Sequence, residues 1–462
     1  MKSSIFKDIP LEKLTLFAIL IIGAFYLFIF PPNSIPDESV HFRAAYQNVS
    51  AVLGQTSDDV ASVAMRSADV KMVKEYSNFP DRYTVQFFRE ELFKPLPPGG
   101  AEIVDTPRDS GVPHPYIYFP QTLGMLLGFA LKVNPEWMYL LGRIFNLIFF
   151  AACVWISIRI TPIGKGVFAL VALYPMALHL GASLSSDVYT IAFALLALSQ
   201  YLRIVYAEKP AGLRDLILLL LTMALLGPPK VVFIPFLLLA VFMPGRCFSK
   251  RSIAIIFRVL AIVVILLTTF IALYVFLHRG DGGVPVVPAP YENINTIDVL
   301  LADPVLFAKT CYRTILMYFE FYLNSMVGAE LGWVEISINK IAIGAFLALS
   351  VVGAFKMYDT EKSLILRDRI LFPVVFLISA LGMAIVMFLS WTPVGSWNIQ
   401  GIQGRYFLPA WPLFLFFAAR WKKPVRPGWL SDGNLVLAAC CLHVFVLVSA
   451  YLFIAGRGAV VL

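Results

Sequence analysis

The sequence predicts an all-α polytopic membrane protein that folds as a single integral membrane domain over residues 1–462. Of the 462 residues, 59% are hydrophobic and 14% are charged. The mean hydropathy is +0.78. In a soluble domain about half of the residues are apolar and about a quarter are charged. The composition therefore excludes an ordinary soluble protein and predicts that a lipid bilayer surrounds most of the chain.

Apolar windows and the distribution of Lys and Arg together predict about eleven transmembrane helices. The N-terminal segment contains Lys2, Lys7 and Lys13. Because cytoplasmic segments are enriched in cations, the N-terminus is predicted to lie in the cytoplasm and the C-terminus outside. The predicted spans are 14–30, 137–158, 164–181, 187–205, 213–227, 231–244, 253–277, 336–356, 370–390, 405–421 and 434–454.

Two long segments between these spans are predicted to lie outside the cytoplasm. The first outer loop, 31–136, contains two stretches typical of amphipathic helices, 38–54 and 59–76. The second outer loop, 278–335, begins with an irregular stretch at 279–290 that is rich in Gly and Pro. Its position predicts that this loop helps to select the acceptor of a reaction at the outer surface.

The apolar stretch 116–131 in the first outer loop is ambiguous by hydropathy alone. If it crossed the membrane, Arg159 and Lys165 after the next span would fall outside, against the positive-inside rule. It is therefore predicted to be a helix in the membrane interface.

The spans 213–227 and 231–244 are short for a hydrocarbon core about 30 Å thick. Gly227-Pro228-Pro229-Lys230 joins them. A helix broken at membrane depth is tolerated only beside protein or a water-filled cavity. This pair therefore predicts that Lys230 lies within the outer half of the bundle.

The net charge of +8 does not indicate nucleic-acid binding in this chain, because Lys and Arg at cytoplasmic span ends explain it. The five Cys have no metal-ligand spacing. No cofactor is predicted, and the spacing of Asp37, Glu38 and Asp187 gives no support for a divalent metal.

Several polar residues that are not accounted for by the cytoplasmic ends of the spans lie on the predicted outer side. A charged group at the bilayer is costly unless it faces water or a partner. Several such groups on one side indicate a shared polar cavity. They are Asp37, Glu38, His41, Arg43, His114, Asp187, Lys230 and Arg405.

Structural alternatives stay open for these residues at the level of sequence. Pro-Asp-Glu-Ser is a typical helix start, so Asp37 could serve only as an N-cap. Asp187 could likewise cap the span that begins there. Lys230 could extend to lipid headgroups, and Arg405 could pair with a lipid phosphate or a span end. His41 and His114 could be structural.

Five local patterns stand out in the sequence. They are Pro36-Asp37-Glu38-x-x-His41-Phe42-Arg43-Ala44, His114-Pro115-Tyr116-Ile117-Tyr118-Phe119-Pro120-Gln121, Tyr174-Pro175-Met176 through Ser183-Leu184-Ser185-Ser186-Asp187, Pro229-Lys230-Val231-Val232-Phe233, and Gln403-Gly404-Arg405-Tyr406-Phe407-Leu408-Pro409. Together they resemble a bacterial family of predicted multispanning proteins known as domain of unknown function 2142. That family in turn resembles the GT-C superfamily of membrane glycosyltransferases, which includes protein O-mannosyltransferases and the aminoarabinose transferase that modifies lipid A.

The resemblance implies a GT-C-like fold and transfer of a sugar from a polyprenyl-phosphate carrier at the outer leaflet. It matches Asp37, with Glu38 adjacent, to the acid that acts as base in the first outer loop. Asp187 matches a second acid, and Lys230 matches a lysine that holds the carrier phosphate. The chain departs from related enzymes at His114-Pro115-Tyr116, where they often have Lys-Pro-Pro or Pro-Pro. The remaining predicted donor contacts are Arg405, Tyr406, His41, Arg43, His114 and Tyr116.

The predicted function is a glycosyltransferase of the bacterial cytoplasmic (inner) membrane with an extracytoplasmic active site. Its partners would be a polyprenyl-phosphate-linked sugar, a glycan or lipid-linked acceptor and the bilayer. Transfer is predicted to invert the anomeric carbon. The alternatives are a transporter or flippase, a polymerase or ligase of lipid-linked saccharides, and a non-catalytic assembly protein. A transporter would more often show internal repeats with paired broken helices, and the sequence has one broken pair.

Overall fold

The computed structural model describes residues 9–55, 57, 59, 62–75, 90–107, 115–277, 293–356, 364–418 and 431–460. Helices account for most of these residues. Up to residue 160 they are α1 (Leu11–Ile29), α2 (Glu38–Leu53), α3 (Ser67–Glu75), α4 (Phe119–Ala130) and α5 (Pro135–Ile160). Strands β1 (Ser62–Arg66) and β2 (Ile103–Pro107) accompany them.

The rest of the described chain is also helical, apart from one short hairpin. Residues 165–277 form α6 (Lys165–Ala172), α7 (Pro175–Gly181), α8 (Asp187–Val205), α9 (Leu213–Leu226), α10 (Leu237–Val241) and α11 (Arg251–Leu277). Residues 297–337 form α12 (Ile297–Ala302), α13 (Pro304–Val327), β3 (Glu330–Leu331) and β4 (Ile336–Ser337). The last helices are α14 (Lys340–Lys356), α15 (Leu366–Trp391), α16 (Trp411–Ala418) and α17 (Asp432–Val460).

Within the described residues, six helices are long and apolar enough to cross a membrane: α1, α5, α8, α11, α15 and α17. They coincide with six of the predicted spans and confirm a multi-pass helical membrane protein. The other predicted spans are shorter or interrupted. Span 164–181 is divided into α6 and α7 at Tyr174-Pro175, where the proline ring cannot continue a helix.

The other short predicted spans are also shorter than a bilayer requires or are interrupted by a 3₁₀ turn. The 14-residue α9 is about 21 Å long, which is less than the hydrocarbon core. A 3₁₀ turn at Val231–Phe236 precedes α10, so the second member of the broken pair is itself irregular. Another 3₁₀ turn, Gly404–Phe407, precedes α16. Helix α14 has 17 residues.

In the segment predicted as the first outer loop, a helix is present at one of the two predicted positions, and the outer location of the segment stays a prediction. Helix α2 coincides with the predicted 38–54. The prediction for 59–76 is wrong in its first half, because residues 62–66 form β1, which pairs antiparallel with β2. Only α3 is helical there. The missing signal was the partner strand, which lies about 40 residues later in the sequence.

Helix α4 has 12 residues, about 18 Å, and is too short to cross a bilayer. It packs closely against α5: a Cβ added at Gly124 would lie 2.3 Å from the carbonyl oxygen of Leu141. Its placement in the membrane interface stays a prediction.

The segment predicted as the second outer loop, 278–335, contains more secondary structure than its sequence indicated. It contains α13, a helix of 24 residues, followed by the β3–β4 hairpin. The predicted irregular stretch 279–290 lies outside the described residues. Helix α13 packs against the 3₁₀ turn at 404–407, and this contact brings the second outer loop to the predicted functional residues.

A buried polar network joins α8 and α15 at the far end of α8 from Asp187. The carboxylate of Asp368 accepts hydrogen bonds from Tyr201 (2.7 Å) and Tyr206 (2.9 Å). Arg367 lies 2.5 Å from the same carboxylate. The polar groups are therefore satisfied among themselves, which buried charges require. This network fixes the bundle at the end opposite to the candidate site.

Candidate functional site

Three charged side chains from distant parts of the sequence meet at one end of the bundle. Asp187 begins α8, Lys230 precedes the 3₁₀ turn 231–236, and Arg405 lies in the turn 404–407. Lys230 Nζ donates a hydrogen bond to Asp187 Oδ1. Arg405 Nε lies 3.5 Å from Asp187 Oδ2. One acid thus contacts two cations.

Asp37 lies on the solvent side of these charges. Its Oδ2 is 3.7 Å from Arg405 Nη2. The Asp37 side chain is 58% exposed, whereas that of Arg405 is 7% exposed. The site therefore presents an accessible carboxylate in front of a buried guanidinium.

Asp37 occupies the N-cap position of α2, but its side chain does not perform the capping. Its backbone is left-handed, with φ 61° and ψ 14°, and its side chain makes no capping hydrogen bond to α2. A residue other than glycine seldom adopts this conformation. Strained backbone of this kind is typical of functional sites. Asp187 lies in the first turn of α8, one residue after the N-cap Ser186, and its carboxylate faces cations.

Glu38 does not share the site with Asp37, contrary to the prediction that it is catalytic. It is fully buried and forms a two-pronged ion pair with Arg143 of α5, with distances of 2.8 and 2.6 Å. Its Oε1 also accepts a hydrogen bond from the backbone N–H of Leu184. Since the carboxylate is enclosed by protein donors, Glu38 is a positioning residue that fixes α2 against α5.

His41 lies one helical turn after Asp37, and its Nδ1 is 2.8 Å from the Tyr118 hydroxyl. Burial lowers the pKa of His41 to about 4, and the nearby Asp187 and Asp37 only partly oppose that effect. Arg405 and Lys230 lower the pKa further. The imidazole is therefore neutral at pH 7 and acts there as a hydrogen-bonding group and not as a cation.

The lowered pKa of His41 predicts a loss of stability in weak acid. The ordinary value of 6.5 applies to the unfolded chain, so the unfolded state binds more protons between pH 6.5 and about 4. Stability should therefore fall as the pH drops through that window. We expect the melting temperature of the detergent-purified protein to fall less in His41→Gln than in the wild type between pH 7 and pH 4. Parallel decreases in the two proteins would contradict this assignment.

Tyr406 lies against both site cations. Lys230 Nζ is 4.7 Å and Arg405 Cζ 5.6 Å from the centroid of its ring. Attraction between a cation and an aromatic face restrains both side chains without neutralising them. Tyr406, predicted as a donor contact, is thus part of the cationic group.

Two other predicted donor contacts, Tyr116 and Arg43, lie within the described residues. The Tyr116 ring packs against Tyr189 of α8 with 5.7 Å between centroids, and its hydroxyl donates to the Leu225 carbonyl at 3.4 Å. Arg43 is half-buried on α2, two residues after His41. His114 lies outside the described residues.

A family model described as "Predicted membrane protein (DUF2142)" matches residues 20–414. The chain belongs to this family. The matched region includes Asp37, Asp187, Lys230 and Arg405. The family description names no activity. No significant match exists among functionally curated proteins or among solved structures.

Gly404 allows the Arg405 turn of this DUF2142 protein to press against α13. A Cβ at this position would lie 2.3 Å from the Tyr322 carbonyl oxygen and 2.4 Å from the Met326 nitrogen. These neighbours are backbone atoms of a helix and cannot move independently. A residue with a side chain here would displace the turn and, with it, the guanidinium of Arg405.

Gly404→Ala is therefore expected to destabilise the protein by roughly 1–3 kcal/mol, as overpacking of a tight contact does. Gly344→Ala is the matched control, because a Cβ there meets nothing within 4 Å and Gly344 lies in α14. Melting temperatures of both variants in the same detergent measure the effect. Equal stability of the two variants would show that the turn is not held by this contact.

Arg143 is the site-supporting residue that sequence reasoning missed. Its guanidinium also donates to the carbonyls of Phe30 (2.5 Å) and Pro31 (2.9 Å), at the end of α1. One signal was available: Arg143 is a cation inside the apolar run 137–158, and such a residue requires a partner. Among the described residues, no group of three or more His, Cys, Asp or Glu is arranged to hold a metal ion.

Proposed function

We propose that this DUF2142 protein is a membrane glycosyltransferase. It would move a sugar from a polyprenyl-phosphate carrier to a cell-surface glycan or lipid-linked acceptor at the outer face of the membrane. The observation that supports this proposal best is the exposed carboxylate of Asp37 beside Arg405, a cation that Asp187 holds together with Lys230.

Asp37 would act as the general base. A sugar hydroxyl is a weak nucleophile, so a carboxylate must accept its proton as the new bond forms. Asp37 is accessible to an incoming hydroxyl, since 58% of its side chain is exposed. Glu38 and Asp187 are largely buried and are paired with Arg143 and Lys230. Asp37 lies 3.7 Å from Arg405 but is the exposed carboxylate of the three.

Lys230 and Arg405 would stabilise the leaving group. Breakage of the bond between the anomeric carbon and the phosphate oxygen leaves the electron pair on the phosphate. A fixed cation beside that developing charge lowers the barrier, most strongly where water is excluded. Asp187 keeps both cations in place before the donor arrives, so little reorganisation would be needed.

A single displacement balances this chemistry. The acceptor oxygen bonds to the anomeric carbon, its proton passes to Asp37, and the carrier phosphate departs. No second carboxylate is required, because no water has to be activated as in glycoside hydrolysis. Attack opposite to the leaving phosphate would invert the anomeric carbon.

The proposed orientation in the membrane rests on the distribution of charge. The site lies at the end of α8 that contains Asp187, while Arg203 lies near the other end of that helix. Arg159 at the end of α5 and Lys165 at the start of α6 lie on either side of the link between these two helices. Under the positive-inside rule these cations would face the cytoplasm. The proposed location is the bacterial cytoplasmic membrane, with the site outside.

The proposal is tested by comparing a deletion strain with its wild-type complement. Surface glycans are analysed by mass and linkage, and the lipid-linked saccharide pool is extracted in parallel. A transferase deletion should lose one type of sugar residue from the glycan while its carrier-linked donor persists. Absence of a whole saccharide from the surface would favour a flippase instead, and shorter chains would favour a polymerase or ligase.

A further inference from the structure

Helix α13 has an apolar face that no other part of the described chain covers. Its spacing of three, four and seven residues places the large side chains of this face on one side of the helix. The opposite side, which contains Phe307 and Thr314, is buried. A continuous apolar face of this kind marks contact with a partner or with lipid. The side chains of the face are 59–65% exposed and belong to Val305, Tyr312, Ile315, Leu316 and Phe319.

A stripe of charged side chains borders this face. Lys309, Arg313 and Glu320 follow one another at intervals of four and seven residues, so they share one flank of the helix. Arg313 Cζ lies 3.7 Å from the centroid of the exposed Trp397 ring. Trp and Arg side chains are typical of the headgroup level of a membrane. An apolar face with a charged border is the pattern of a helix that lies in a membrane interface.

Helix α13 lies at the end of the bundle that contains the candidate site. The ring of Phe307 packs against Phe388, three residues before the end of α15, with 5.1 Å between centroids. The Asp368 network is at the other end of α15. Farther along α13, Glu320 pairs with Lys340 at the start of α14, at 2.8 Å. The apolar face is therefore on the side of the membrane that the candidate site faces.

The apolar face continues a surface that borders lipid. Helix α15 is one of the six helices that are long and apolar enough to cross a membrane, and its side chains Leu377 and Leu381 are exposed. Helix α13 is not among the six. A helix that does not cross the bilayer, but exposes apolar side chains next to one that does, fits the boundary between headgroups and hydrocarbon. Lys309 and Arg313 also complement the phosphate groups of phospholipids.

We propose that α13 binds the phospholipid surface of the outer leaflet. Leu316 and the other side chains of the apolar face would enter the hydrocarbon, while Lys309 and Arg313 would lie among the headgroup phosphates. The turn 404–407 presses against the same helix at Tyr322. The bilayer would thus hold α13, and with it the turn that contains a site cation, at a fixed depth. Lipid binding by α13 requires no particular reaction, so it is independent of the glycosyltransferase proposal.

A spin label on the apolar face tests this surface in the full-length protein. The partly exposed Cys311, Cys440 and Cys441 are replaced by Ser, whereas the two buried cysteines stay in place. The label is attached at Leu316→Cys, and the protein is reconstituted into vesicles of phosphatidylethanolamine and phosphatidylglycerol. Collision rates of the label are then measured with molecular oxygen, which concentrates in hydrocarbon, and with a nickel chelate, which stays in water.

Two further labelled positions calibrate the result. Leu377→Cys on α15 is the lipid reference, and Asp105→Cys on the exposed part of β2 is the water reference. The label at Leu316 is expected to meet oxygen as often as the one at Leu377, and the chelate several-fold less often than the one at Asp105. Contact with the chelate equal to that at Asp105 would overturn the proposal. Contact with neither reagent would also overturn it, because protein, such as a second copy of the chain, would then cover the face.

Quenching by brominated phospholipids tests the charged border with the native cysteines in place. The difference in fluorescence between the wild type and Trp397→Phe isolates the emission of Trp397. This emission should fall in vesicles whose lipids have bromine on the acyl carbons nearest the glycerol. Emission of Trp397 that these lipids do not quench would contradict the interfacial position of α13. Melting temperatures in the same vesicles confirm that each variant is folded.

Discussion

Asp37→Asn is expected to reduce the initial rate of sugar transfer by about 10²–10⁴-fold, which is the usual contribution of a positioned general base. Asparagine has nearly the same shape, but its amide cannot accept the hydroxyl proton. The side chain makes no capping bond, and most of it is exposed. The substitution should therefore leave the melting temperature nearly unchanged. The rate is measured in membranes that contain equal amounts of each protein.

Two further variants make this result specific. Asp105→Asn on the exposed part of β2 is the matched control and should transfer at the wild-type rate. Asp37→Glu keeps the carboxylate but moves it by one methylene, so it should recover part of the activity lost in Asp37→Asn. Full activity of Asp37→Asn would remove Asp37 from the proposed mechanism.

Arg143→Met is expected to cause the largest loss of stability, about 3–5 kcal/mol. It leaves the carboxylate of Glu38 buried without its cation. It also removes the donor to the Phe30 and Pro31 carbonyls. Loss of one partner of a buried ion pair costs more free energy of unfolding than the intact pair contributes, because the remaining charge stays buried without a counter-ion. Unfolding in detergent or the yield of folded protein measures the effect.

The double variant Glu38→Leu with Arg143→Met tests whether the unpaired buried charge of Glu38 causes this loss of stability. Removal of both charges leaves no uncompensated ion, so the double variant should be more stable than Arg143→Met alone. If Arg143→Met unfolds at the wild-type temperature, the ion pair does not position α2. If the double variant is as unstable as the single one, lost packing and not a buried charge explains the effect.

The membrane fold and much of the site could be predicted from sequence because both follow from the cost of polarity in a bilayer. Asp187, Lys230 and Arg405 stood out as charges next to apolar runs, and the structure brings all three together. Because these residues lie far apart in the sequence, the sequence did not show which of them are in contact. The same rule applied to Arg143 would have found it, but its partner Glu38 lies 105 residues away.

The sequence predicts that Glu38 shares the site with Asp37, because the two residues are consecutive. Consecutive side chains at a helix start point in different directions, and the left-handed backbone of Asp37 separates them further. Asp37 faces solvent, whereas Glu38 faces α5. Neighbouring positions in sequence therefore do not predict a shared cavity.

Local sequence also failed where an element depends on a distant partner. Residues 62–66 are a strand only because 103–107 lie beside them. Helix α13 mixes apolar residues with Lys309, Arg313 and Glu320, so hydropathy did not distinguish it from a loop.

The most direct test of the central claim is the mass and linkage of surface glycans from three strains: the deletion, its wild-type complement and its Asp37→Asn complement. The amount of protein in the membrane is matched in the two complemented strains. We expect the deletion to lose one sugar, the wild type to restore it and Asp37→Asn not to restore it. Full restoration by Asp37→Asn would contradict catalysis at Asp37 and favour transport or assembly as the function of the chain.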